Sequence, residues 1–264
     1  ENYDKTVALI RKTYPQTYWF SEEHVSHHFL MQLDENCDRV AEFHNVAMDL
    51  PGMKKAEQAF TAFTLRELQS VRTISLDGID IAVPSVRFNA VYVFIHAWHH
   101  FSGNGVGVRQ LADWMLCLHE LAQTLSAEEK QAYAHDLERL LRRMSMLQIW
   151  QTFGCVIVRH LGLPKEEFLL YNASQERRGE RLYRQLLHDG HGYRLANKEK
   201  GATIHSFPFH RPEKNRIAQV LFTLVRIPYD TFQLAKIFPH LAIRQFFGKI
   251  RLGVLKVLKK TASV

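Results

Sequence analysis

Cysteine, long uncharged apolar runs and low-complexity tracts are all scarce in this 264-residue sequence. Its three cysteines, Cys37, Cys117 and Cys155, are odd in number, far apart and form no CxxC pair. That excludes a disulfide framework and a Cys-rich zinc site. No apolar run reaches the roughly 18 residues of a membrane-spanning helix. The opening Glu1-Asn2-Tyr3-Asp4-Lys5 has neither a basic n-region nor an apolar h-region, so no secretory leader is expected. A reducing cytoplasm is the simplest compartment for such a chain.

What is present is enough for a packed core. With 46% hydrophobic and 23% charged residues, global disorder is excluded, and the length suits one large domain or two small ones. Charge is unevenly placed. The formal net charge is +7, and between Arg194 and Val264 fourteen Lys and Arg face three acids, Glu199, Glu213 and Asp230. The rest of the chain is therefore slightly acidic. A basic C-terminal segment attracts anionic partners such as nucleic acid, anionic lipid or a nucleotide-linked substrate, or it is simply a solvated helix face.

The chain reads as a small α+β section followed by helices, with the boundary at Pro84. A short helix is expected over Asp4 to Tyr14, where Val7, Leu9 and Ile10 alternate with charge. Strands are expected at His28–Leu33 and Arg39–His44 around the polar turn Asp34–Asp38, making a small mixed sheet with what lies beside them. After Pro51-Gly52 a helix spans Lys54 to Leu68. Asp77-Gly78 then joins strands Val71–Leu76 and Ile79–Val83 as a hairpin. Beyond Pro84 the periodicity predicts helices over Val86–Phe101, Val108–Leu125, Ala127–Arg143, Met146–His160 and Ser174–His188. Two more follow, Glu213–Val225 and Tyr229–Leu258, interrupted at Pro228 and Pro239. Asp189 to Pro212 has no clear period and reads as a loop.

Two constellations carry chemistry. On the second strand, Glu42 and His44 share a face by alternation, and His28 joins them if the hairpin register permits. A carboxylate beside imidazoles can orient a phosphate or a cation, although an exposed polar hairpin face has the same pattern. The second is His96-Ala97-Trp98-His99-His100, then Gly103, Gly105 and Gly107, then Arg109-Gln110-Leu111-Ala112-Asp113. His96 and His100 are i, i+4 neighbours, as are Arg109 and Asp113, which can pair with each other, or Arg109 can face an anion while Asp113 fixes it. A Gly-rich turn entering a helix can offer N–H groups to an anion. It lacks the Lys-Ser/Thr ending of a phosphate-binding Walker loop, and Glu does not follow the first His as in a zincin. The His135-Asp136 and His188-Asp189 dipeptides read as chance.

The His27-His28 strand start, Val40-Ala41-Glu42-Phe43-His44, the Asp77-Gly78 hairpin ending in Val83-Pro84-Ser85, and His96 through Asp113 together resemble a family of uncharacterised bacterial (Bacteroides-type) nucleotidyltransferases. The resemblance covers roughly the first half of the chain and lies in the ordered set. It implies a partial palm-like region at 1–84 and a helical domain at 85–264. It also implies transfer of a nucleoside monophosphate from a nucleoside triphosphate to a hydroxyl of a small molecule or sugar, with Mg²⁺ as cofactor. By resemblance Glu42 is the third carboxylate of the site, acting as general base or metal-orienting ligand. His28, His44, His100, Arg109 and Asp113 would bind substrate or brace the cleft. The Asp-x-Asp strand of such enzymes belongs upstream of a helix like Asp4–Tyr14 and is not in this sequence. The chain is therefore expected to be the later part of an enzyme with little transferase activity of its own. The alternative is a binding module that kept the fold and lost the metal site.

Overall fold

Alternating apolar and polar residues make strands, and the first 49 residues use that pattern to build an antiparallel sheet. The computed structural model describes residues 2–13, 18–19, 28–32, 40–44, 47–48, 50, 53–103, 106–189, 216–248 and 250. They fall into two compact units, Glu1–Asp49 and Leu50–Val264. The first holds helix α1 (Asn2–Thr13) and strands β1 (Tyr18–Trp19), β2 (His28–Gln32) and β3 (Val40–His44), in the order β1-β2-β3. Asp4 in the first turn of α1 and Arg11 and Lys12 in its last complement the helix dipole. The expected mixed sheet is antiparallel throughout the described residues, because both pairings join strands that run in opposite directions. The Asp34–Asp38 turn and Pro51-Gly52 lie outside those residues.

The second unit is predominantly helical. Helix α2 (Lys54–Glu67) buries Ala56, Ala59, Phe60 and Phe63 and packs on later helices. The β4 (Arg72–Leu76) and β5 (Ile79–Val83) hairpin closes at Asp77 and Gly78, with φ of 52° and 78°. Positive φ at both central residues fits the hand of a two-residue hairpin. These elements belong with the helices, so the division falls at Asp49, ahead of Pro84. Pro84 follows the last residue of β5.

Ser85 starts α3 (Val86–Gly103): its Oγ accepts from Phe88 N–H at 3.0 Å and donates to Glu67 Oε2 at 3.0 Å. Helix α4 (Val108–Thr124) follows and packs along α3. Helix α5 (Ala127–Met144) opens with a capping box, Glu129 N–H donating to Ser126 Oγ at 3.2 Å and Ser126 N–H to Glu129 Oε2 at 2.9 Å. Ser126→Ala is expected to lower unfolding free energy by about 1 kcal/mol in a urea titration, with the m-value unchanged.

Where one helix over Met146–His160 was expected, α6 (Leu147–Val156) passes into a π-helical turn, Ile157–Leu161, ended by Gly162 at φ 89°. Short 3₁₀ turns at Lys165–Glu167 and Ala173–Gln175 lead into α7 (Glu176–Asp189). Helix α8 (Arg216–Ala235) runs through Pro228, where an interruption was expected, and α9 spans 239–248. Pro228 is exposed, so water can satisfy the carbonyl whose helical donor the ring removes. Of the expected loop Asp189–Pro212, Asp189 is the last residue of α7 and the rest lies outside the described residues.

The core is aromatic. Phe94, Trp98, Trp114, Trp150 and Phe153 are each at most 1% exposed. Trp114 and Trp150 meet edge to face at 4.9 Å, and their indole N–H groups donate to Ala90 O and Leu169 O, both at 2.9 Å. A buried Trp keeps its polar atom in this way without giving up its apolar area.

Candidate functional site

The register of β2 with β3 pairs His28 with His44 and Leu30 with Glu42, and on the alternate positions Phe29 with Phe43 and Met31 with Ala41. Directly paired residues share a sheet face. The hairpin register therefore places His28, Leu30, Gln32, Val40, Glu42 and His44 on one face, and Phe29, Met31, Ala41 and Phe43 on the other. Met31 on the second face is 1% exposed, and His44 on the first is exposed. The register thus brings His28 onto the face of Glu42 and His44.

The other constellation stands in the second unit. Along α3, His96 Nε2 and His100 Nε2 are 2.8 Å apart, with ring planes inclined at 56°. At that distance one imidazole donates and the other accepts. His99 and His100 meet edge to face at 5.9 Å, and Tyr92 lies 6.1 Å from His96. Asn104 and Gly105 lie outside the described residues. Gly107 caps α4, its N–H donating to Gln110 Oε1 at 3.0 Å, so that donor is already engaged.

Of the two arrangements open to Arg109 and Asp113, the pair does not form: both residues are exposed, and no ion pair joins them among the described residues. The corner between α3 and α4 is fixed from its apolar side, by Trp114 bonding Ala90 O and by Leu111 at 0% exposure. Arg109 thus presents a guanidinium to solvent on the first turn of α4. On α5, Asp136 is bound by Arg139 at 2.7 Å, and both His135 and Asp136 are exposed. The side chains of His188 and Asp189 lie outside the described residues.

Mg²⁺ takes oxygen ligands in near-octahedral geometry. Glu42, opposite Leu30 in the register, is a single carboxylate, too few oxygen ligands for that ion. Among the described residues no group of three or more His, Cys, Asp or Glu stands together.

One polar cluster was not legible from spacing. Along the π turn, Arg159 pairs with Glu176 and His160 Nε2 lies 3.0 Å from Glu180 Oε2, both acids being on α7. Tyr171 donates to Glu176 at 2.8 Å, and its ring stands beside the cation of Lys165. The Tyr171 bond holds the Glu176 carboxyl below its usual range, helped by Arg159, and the Arg184 bond does the same for Glu180, helped by His160. A depressed carboxyl contributes stability above the unfolded pKa of about 4.3, and that stability is lost as pH falls through the lowered folded value. Thermal unfolding between about pH 5 and pH 3 should therefore fall more steeply in the native chain than in Glu176→Gln/Glu180→Gln. Equal slopes would show that these pairs do not couple to folding.

No known protein family, curated protein or solved structure matches this chain.

Proposed function

We propose that this chain is nucleotidyltransferase-like, part of a protein that moves a nucleoside monophosphate from a nucleoside triphosphate to a hydroxyl of a small molecule or sugar. One observation carries the reading: the β2–β3 register sets His28, Glu42 and His44 on a single sheet face. That is the grouping the family resemblance asks for around its third carboxylate. In this reading Glu42 takes the proton of the acceptor hydroxyl as its oxygen attacks the α-phosphorus and pyrophosphate leaves. The imidazoles of His28 and His44 donate to phosphoryl or acceptor oxygens. Taken by itself, the second unit offers a phosphate the planar guanidinium of Arg109 on α4 and the imidazole of His100 on α3. Asp113 is one helical turn from Arg109 and tempers its field.

A second reading is favoured by the lone carboxylate: the chain binds nucleotide and does not turn it over. Calorimetric titration with ATP, GTP, CTP and UTP separates the two when a product assay accompanies it. Binding at micromolar to millimolar strength is expected, weakened about tenfold by Arg109→Ala. Nucleotide transfer that Glu42→Gln abolishes while binding persists supports the enzyme. Binding without transfer supports the module, and no binding to any of the four nucleotides contradicts both.

A further inference from the structure

A helix packed in water turns its apolar stripe inward and its charges outward. Helix α8 does the reverse over much of its length. Leu221, Leu224, Val225, Pro228 and Phe232 recur at i, i+3, i+4, i+7 and i+11, one face of the helix, and all five are exposed. Leu224 is 55% and Phe232 64% exposed. On another face of the same helix the Arg226–Asp230 ion pair, closed at 3.2 Å, is mostly buried. Helix α9 repeats the pattern: Pro239, Ile243 and Phe247 at i, i+4 and i+8 are exposed, while Ala242 and Gln245 are buried. The arrangement is anchored, because Phe238, between the two helices, packs edge-on against Trp98 at 5.8 Å.

Charge says what covers this face. From Arg216 to Val264 the sequence has nine Lys and Arg and one acid, Asp230, a surplus of eight, whereas the whole chain carries +7. Lys236 and Arg244 are exposed beside the two stripes, and Lys236 Nζ stands 5.1 Å over the Phe232 ring. The sequence continues in the same vein after Phe247, with Lys249, Arg251, Lys256, Lys259 and Lys260 among Ile250, Leu252, Val254, Leu255, Val257 and Leu258. A second copy would bring two such surpluses together across the contact. Nucleic acid would reward the cations and leave Leu221, Leu224 and Val225 in water, since its phosphates and base faces call for charge and aromatic rings. An anionic bilayer surface takes both features at once: headgroups meet the cations, and the acyl boundary receives the stripe. No helix among the described residues is long and apolar enough to cross a membrane, so the contact is in-plane.

We propose that α8 and α9 form a docking surface for an anionic lipid bilayer, with Leu221, Leu224, Val225, Phe232, Ile243 and Phe247 entering the interface. This inference is independent of the nucleotide reading.

The test is flotation of the full chain with vesicles of phosphatidylcholine alone and with about three-tenths phosphatidylglycerol. Co-flotation is expected with the anionic vesicles only, and it should weaken as salt is raised. Leu224→Glu/Phe232→Glu, which changes two exposed positions, should lower the vesicle affinity by about thirtyfold or more while leaving the thermal midpoint in place. Leu116→Glu, at an exposed apolar site on α4, should leave vesicle binding unchanged. The proposal is overturned if the chain ignores anionic vesicles, or if the double variant floats as well as the native chain. It is equally overturned if the chain binds RNA or duplex DNA in place of vesicles, or if the native chain is a dimer that the double variant dissociates with no vesicle binding by either.

Discussion

Trp114→Ala is expected to lower unfolding free energy by about 3–5 kcal/mol, the range for deleting a large aromatic side chain from a packed core. The residue is 0% exposed and touches the rings of Phe94 at 5.2 Å, Trp150 at 4.9 Å and Phe168 at 5.8 Å. It joins α4 to α3 through its bond to Ala90 O, so truncation opens a cavity where three helices meet and also removes that bond. At this chain length the loss corresponds to a fall of roughly 10 °C in the thermal midpoint, read by circular dichroism. Trp114→Phe keeps a ring and loses the indole donor, so its cost should be near half. Equal losses in the two variants would mean that the hydrogen bond, and not the packing, dominates.

Gly154→Ala has the next largest effect, and its sign is what makes it informative. In an open helix interior, alanine is favoured over glycine by about 1 kcal/mol. Here an added Cβ would lie 2.0 Å from Phe168 Cζ and 2.2 Å from Cε1. The Phe168 ring cannot withdraw freely, because it is 3% exposed and stacked on Trp150 at 5.7 Å. The clash therefore reverses the helix preference, and a net destabilisation of about 2–3 kcal/mol is expected. Adding Phe168→Leu should recover part of it, a non-additivity that a double-mutant cycle reads directly. Gly179→Ala is milder in kind. Its Cβ would meet Cys155 Cβ at 2.8 Å and Thr152 O at 3.2 Å, where α6 and α7 run close together.

Those two glycines show where the sequence was silent. Nothing in the periodicity of Leu147–Val156 distinguishes a glycine required by a neighbouring ring from one that merely weakens a helix. The β2–β3 hairpin was more legible: period-two alternation placed Glu42 and His44 together, and the register added His28 as Leu30 took its place opposite Glu42. Strand β1, two residues long, is too short to leave a pattern. The Asp77-Gly78 turn was legible because few residue pairs adopt positive φ in succession. Pro228 misled in the opposite direction. A proline reads as a break, yet on the exposed side of α8 the helix continues past it. The two acids that hold Arg159 and His160 were hidden because they depend on the π turn and on α7 lying alongside it. The stripe on α8 was not read from the sequence, because the break expected at Pro228 divides it.

The reading of the site is tested most directly by titrating the ¹⁵N-labelled chain with ATP and following its amide resonances. A saturable shift is expected at the β2–β3 residues His28 to Gln32 and Val40 to His44, and, separately, at the start of α4 around Gly107 to Gln110. Shifts confined to residues 216–248, or no saturable shift at all, would contradict it.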